Sequence, residues 1–186
     1  APTDLGDCIN KGTTELKMVR QRLARAASSP TSTTSTESDQ AHDAGSTDPR
    51  AVFVVHGRDL AIRDAMFDLL LKLRLDPIPW EEAVQMTGDP AAHTSAVIES
   101  GLARARAVVV LLTPDDVGRM KPEFLNDDDE EWERELTGQP RLNVVFEAGR
   151  ASATHPKRTI LVQVGQVRRF SDISGQQILH FSGSPQ

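Results

Sequence analysis

Apolar residues along this chain fall into short, dense runs separated by amphipathic stretches. Ala51–Val55 (AVFVV) is a β-branched run that is apolar on both sides, the pattern of a strand buried in a parallel sheet. Asp59–Leu75 follows with helical spacing, placing Ile62, Met66, Leu69, Leu70 and Leu73 on one face. Asp76–Trp80 predicts a second short strand, which Pro77 and Pro79 push toward a sheet edge. Glu81–His93, with Gly88 and Pro90, predicts a long loop, and Thr94–Arg104 a helix carrying Val97, Ile98 and Leu102. Ala107–Leu112 is the clearest central strand. Thr113–Pro140 then reads as a long acidic insertion, Arg141–Thr154 as a helix, Thr159–Val164 as a fourth strand and Gln177–Phe181 as a weaker fifth. Strands alternating with helices predict an α/β sandwich with a mainly parallel, flavodoxin-like sheet of about five strands in the order 2-1-3-4-5. Ligands in such sheets bind beyond the carboxyl ends of the strands, at the switch between strands one and three. The segments that fall there are His56–Asp59 and Thr113–Asp116.

The pattern differs upstream. Thr13–Ala27 has Leu16, Val19, Leu23 and Ala26 at helical spacing, a short segment that is marginal as an isolated helix. In Ser28–Pro49, eleven of 22 positions are Ser or Thr and none is Val, Ile, Leu, Met or aromatic, so the stretch cannot bury enough surface to offset its ordering entropy. The expected organisation is a short N-terminal helical segment over residues 1–27, a flexible linker over 28–49 and one domain over 50–186. The chain starts with Ala1 rather than Met, as a processed or excised segment would.

Composition narrows the classes. A net charge of −6 argues against general nucleic-acid binding, which needs an excess of Lys and Arg. The single cysteine, Cys8, excludes an internal disulfide and CxxC zinc sites and fits a reducing, cytoplasmic setting. The longest purely apolar run, Ala107–Leu112, is six residues, against the ~20 needed to span a bilayer. No signal peptide opens the chain.

Four segments carry candidate chemistry. In Val55-His56-Gly57-Arg58-Asp59, Gly57 permits close backbone approach and Asp59 suits a helix N-cap, while Arg58 and the free amides favour a phosphate. Thr113-Pro114-Asp115-Asp116 offers two acids that hold a metal or cap a helix, with capping favoured for at least one. Seven acids among the nine residues 127–135 read as a solvated face; they lack the Gly and spacing of an EF-hand loop, and no metal site is expected. In Arg141–Gly149, the spacing puts Leu142, Val145, Phe146 and Gly149 on the buried side, and Asn143 and Glu147 together on another face at i, i+4. A Glu set between Phe and Ala is costly unless it faces a cleft, so Glu147 reads either as catalytic or as the partner of Arg58 or Arg141.

Taken in order, V-F-V-V-H-G-R-D, V-V-V-L-L-T-P-D-D, R-L-N-V-V-F-E-A-G and S-D-I-S-G resemble the bacterial TIR-like domains of the predicted nucleotide-binding protein family, found in anti-phage effectors gated by STING or Pycsar sensor domains. The resemblance runs from Arg50 to about Ser182. It implies a flavodoxin-like TIR fold and cleavage of NAD+ to nicotinamide and an ADP-ribose product, with NAD+ as substrate and no separate cofactor. It implies Glu147 as the catalytic acid, and His56, Gly57, Arg58, Asp59, Trp80, Thr113 and Asn143 as substrate-binding positions. It also implies that Glu81–His93 is a mobile loop that helps form the nucleotide pocket and contacts neighbouring subunits, and that activity depends on self-association; a sensor domain or protein outside this chain is a further candidate partner. A non-enzymatic TIR-like adaptor or nucleotide-binding module is the main alternative, and a nucleoside deoxyribosyltransferase-like enzyme a weaker one.

Overall fold

The computed structural model describes residues 17–18, 21–22, 48–168 and 178–181. Of the N-terminal helix read over Thr13–Ala27, only Lys17, Met18, Gln21 and Arg22 are described, and these are helical. The rest of that segment, and the linker before Asp48, lie outside the described residues.

Five parallel strands form the central sheet: β1 (Ala51–Val55), β2 (Asp76–Ile78), β3 (Ala107–Leu112), β6 (Thr159–Val164) and β7 (Ile178–Phe181), in the order β2-β1-β3-β6-β7. This is the flavodoxin-like 2-1-3-4-5 order, since the intervening β4 (Asp116–Gly118) and β5 (Thr137–Gln139) belong to a separate pair. Each residue of β1 and β3 is buried, because both sheet faces are covered and the β-branched run can pack both ways. Strand alternation divides the core in two. Val52, Val54, Val109, Leu111 and Val162 pack against Ile62, Met66, Leu69 and Leu70 of α1 (Leu60–Lys72). Phe53, Val55, Val108, Val110 and Leu112 face the other way. They meet Ala83 of α2 (Trp80–Met86), Val97, Ile98 and Leu102 of α3 (Thr94–Arg104), and Val144, Ala148 and Ala151 of α5 (Leu142–Thr154).

Two local features set these positions. Arg74 adopts φ 60° just after α1, while the Leu75 N–H returns to the Leu70 carbonyl at 2.9 Å. This is a Schellman-type stop with a non-glycine residue in the left-handed position. In α3, a Cβ on Gly101 would lie 2.6 Å from the Phe53 ring, so the helix rests on β1 at a distance only glycine allows.

Three expectations are corrected. Residues 80–86 form α2 rather than a loop, because Ala83 is fully buried against the sheet and Glu81 and Glu82 suit a helix N-terminus. The insertion 113–140 carries an antiparallel pair, β4 (Asp116–Gly118) with β5 (Thr137–Gln139), a 3-10 turn (Pro122–Phe124) and α4 (Glu131–Arg134). Its acidic run is tied down by cations: Arg134 donates to the Asn126, Asp127 and Asp129 carbonyls, and Arg168 pairs with Glu133. Finally, α5 buries Val144, Glu147, Ala148 and Ala151, leaving Leu142 at 73% and Phe146 at 65% exposure, with Gly149 also exposed and Val145 half-buried. The small side chains of Ala148 and Ala151 let that face approach the sheet closely, which the bulkier stripe does not.

Candidate functional site

A cavity of about 570 Å³ opens at the carboxyl ends of β1 and β2. That volume suits a nucleotide-sized ligand. Beta-strand residues Val55 and Ile78 form part of its floor, with His56 continuing beyond β1. Trp80 and Glu81 come from the start of α2, Asn143, Val144 and Glu147 from α5, and Arg63, Asp64 and Phe67 from α1.

Glu147 is the unusual member. Its residue is only 7% exposed, and Oε2 is buried with no hydrogen-bond partner. The neighbouring cation is Arg150, whose Nη1 lies 3.9 Å away on the same helix while its Nη2 lies 3.9 Å from Glu99 of α3. Burial pushes the Glu147 carboxyl above the usual carboxylate range, and the Arg150 charge opposes that rise only in part. The pairing expected with Arg58 or Arg141 is absent: Arg141 approaches Asp116 at 3.7 Å instead. A desolvated acid with an orphaned oxygen on a cavity wall is destabilising by itself and poised to receive a positive centre.

The other cavity residues complement it. His56 is half-buried, and its Nδ1 lies 2.8 Å from the Gly57 carbonyl. A carbonyl only accepts, so Nδ1 donates to it, and in the neutral tautomer with that proton Nε2 is the acceptor. Trp80 is 41% exposed and offers an indole face. Asn143 stands one turn before Glu147 on the same side of α5 and is itself exposed.

Of the residues expected to bind substrate, His56, Trp80 and Asn143 come together with Glu147 on this wall. Gly57, Arg58, Asp59 and Thr113 are not among the lining residues. The Arg58 N–H donates to Asp115 Oδ2 at 2.6 Å, and a Cβ on Gly57 would fall 1.6 Å from that same oxygen. Glycine is therefore what lets Asp115 hold the turn. Asp59 caps α1, accepting from the Ile62 N–H at 3.0 Å. Thr113 is buried at the end of β3, where its carbonyl accepts from the Asp115 N–H. The S-D-I-S-G segment, residues 171–175, lies outside the described residues. Among the described residues, no three His, Cys, Asp or Glu side chains converge to hold a metal ion, and no helix is long and apolar enough to cross a membrane.

Arg63, Asp64, Phe67 and Ile98 line the cavity without being expected there from the sequence, whereas Glu81 belongs to the 81–93 segment expected to help form the pocket. A signal existed for two of them: Arg63 and Phe67 are an i, i+4 pair flanking the buried stripe of α1.

A family model described as CAP12/Pycsar effector protein, TIR domain, matches residues 51–183, which span the sheet, the cavity and Glu147. No curated protein matches the chain.

Proposed function

The chain belongs to the TIR domain family of CAP12/Pycsar effector proteins, a TIR-type effector of anti-phage defence, and we propose that it cleaves NAD+ at the bond between nicotinamide and ribose. One observation carries this reading: the buried carboxylate of Glu147, its Oε2 without a hydrogen bond and with Arg150 no nearer than 3.9 Å, on the wall of a nucleotide-sized cavity. In NAD+ the nicotinamide is already cationic. When the C1′–N bond breaks, its electron pair passes to the ring nitrogen, nicotinamide leaves neutral, and positive charge moves onto the ribose. No general acid is required. What the reaction needs is a negative group beside C1′ in a place with little water, where its field is poorly screened. Glu147 supplies that charge, and the cationic substrate in turn favours its ionised form. Water then adds to C1′ and loses a proton, giving ADP-ribose; capture by a group of the substrate itself gives a cyclic product. His56 Nε2 is a suitable acceptor for a ribose hydroxyl or for that water. Trp80 is placed to stack on a ring.

Family membership also supports control by self-association. Specific activity is then expected to rise with protein concentration; a constant value across a wide dilution series would exclude assembly control. A second reading, a protein-binding module without turnover, is supported by the exposed Leu142 and Phe146 on the helix that carries Glu147. Incubating concentrated protein with NAD+ and separating the products by chromatography decides between the two. Nicotinamide release that disappears in Glu147→Gln supports the enzyme, and no release at any concentration supports the binding module.

A further inference from the structure

The cavity wall carries three acids, Asp64 on α1, Glu81 on α2 and Glu147 on α5, and opposite Glu147 stands Arg63 on α1. Among the lining residues Arg63 is the one lysine or arginine. Its guanidinium carbon lies 5.9 Å from the centroid of the Phe67 ring, one turn further along the helix. Its Nε and Nη2 both donate to Asp64 Oδ1, at 2.8 and 2.6 Å. These contacts fix the plane of the guanidinium and leave Nη1, with two N–H donors, free of hydrogen bonds among the described residues. The Arg63 side chain is 31% exposed, whereas that of Asp64 is 63% exposed and its charge is screened by water. Arg58, which the sequence suggested for a phosphate, is exposed and off the cavity wall, with its backbone N–H bound to Asp115.

We propose that Arg63 anchors the phosphate portion of the nucleotide substrate and so sets which way round it lies. This assignment rests on the NAD+ reading and extends it. A pyridine dinucleotide carries a cationic ring on ribose at one end and an anionic pyrophosphate in its middle. Glu147 attracts the first and repels the second, and Arg63 does the reverse. With the two groups on different helices, the orientation that satisfies both puts the nicotinamide ribose at α5 and the phosphates at α1. Arg suits this better than Lys, because the planar fork binds phosphate oxygens through paired N–H groups and rests flat on an aromatic ring.

The test titrates the full chain with ADP-ribose and with adenosine, which has no phosphate, and measures steady-state NAD+ cleavage in parallel. Arg63→Gln is expected to weaken ADP-ribose binding by about tenfold or more while adenosine binding stays within roughly twofold, and to raise KM more than it lowers kcat. Arg63→Lys, which keeps the charge without the fork, recovers part of the loss. Arg104→Gln, an equal charge change at the exposed end of α3, moves neither ligand. ADP-ribose binding that is unchanged in Arg63→Gln, or lost in equal proportion with adenosine, overturns the assignment while wild-type cleavage leaves the NAD+ reading intact. A wild-type chain that binds neither ligand and cleaves no NAD+ overturns both.

Discussion

The turn after β1 and the middle of α5 each hold an acid near the carboxyl ends of the sheet, and they treat it in opposite ways. Around the turn, carboxylates are spent on backbone amides: Asp59 of the turn takes the Ile62 N–H, and Asp115, from the segment after β3, takes the Arg58 N–H. In α5, Glu147 is more deeply buried and Oε2 is left without a hydrogen bond. An acid that accepts backbone N–H groups lowers the energy of the folded chain, whereas a buried one without a hydrogen bond, its burial offset only in part by Arg150, raises it. The first pattern builds a scaffold. The second is tolerated where something outside the chain completes it.

The contrast is broken most sharply at Glu147. Glu147→Gln keeps shape and hydrogen-bonding capacity and removes the charge. NAD+ turnover is expected to fall a hundredfold or more, about 3 kcal/mol of transition-state stabilisation. The melting temperature should hold or rise, and the sign follows from linkage. Burial raises the carboxyl's folded-state pKa, so folded Glu147 binds its proton more tightly than the unfolded chain does. Ionising it costs folding free energy as the pH climbs from the ordinary carboxylate value through the raised one, and Gln removes that cost. Calorimetry of the variant showing a large drop in melting temperature would mean that Glu147 belongs with the scaffold acids.

Those scaffold acids should show the reverse profile. Asp115→Ala removes the acceptor of the exposed Arg58 N–H and is expected to cost about 0.5–1.5 kcal/mol of stability in denaturant titration. Gly57→Ala drives a methyl into the Asp115 carboxylate and should cost a similar amount by expelling it. The double variant should then lose clearly less than the sum of the two, because both changes break one contact. Strict additivity would show that Asp115 and Gly57 act separately.

A smaller gain is available at the end of α1. Arg74 holds a left-handed conformation that L side chains adopt at a cost, so Arg74→Gly should stabilise the domain by about 1 kcal/mol, read as a raised denaturation midpoint at unchanged slope. The finest adjustment concerns Arg150, whose charge partly offsets the burial of Glu147. If ionised Glu147 is the active form, the acidic limb of the kcat/KM profile lies above the ordinary carboxylate range, and Arg150→Gln should move it to higher pH. A limb that stays in place would remove Arg150 from the electrostatics of the site.

How much of this was legible in the sequence depends on how local each signal is. The AVFVV and AVVVLL runs specify buried parallel strands because residues apolar on both sides need cover on both faces, and Pro77 marks an edge strand through its missing N–H. The alternation of strands and helices then leads to the observed order of the sheet. Asn143 and Glu147 share the cavity wall as their i, i+4 spacing requires. Other features depend on contacts far apart in the chain. Helix α2 stands in a segment read as a loop and carries a fully buried alanine, which marks no periodicity of its own. Strands β4 and β5 are three residues each and pair across the acidic insertion, too short to show alternation. The buried face of α5 was decided the same way. Leu142, Val145, Phe146 and Gly149 form the more hydrophobic stripe and Val144, Glu147, Ala148 and Ala151 the narrower one, and both are compatible with a helix. Hydrophobicity along one helix favours the first, but the space left above the sheet admits the second, because alanines allow the backbone to come close. That choice turned the Glu147 carboxylate inward, onto the cavity wall.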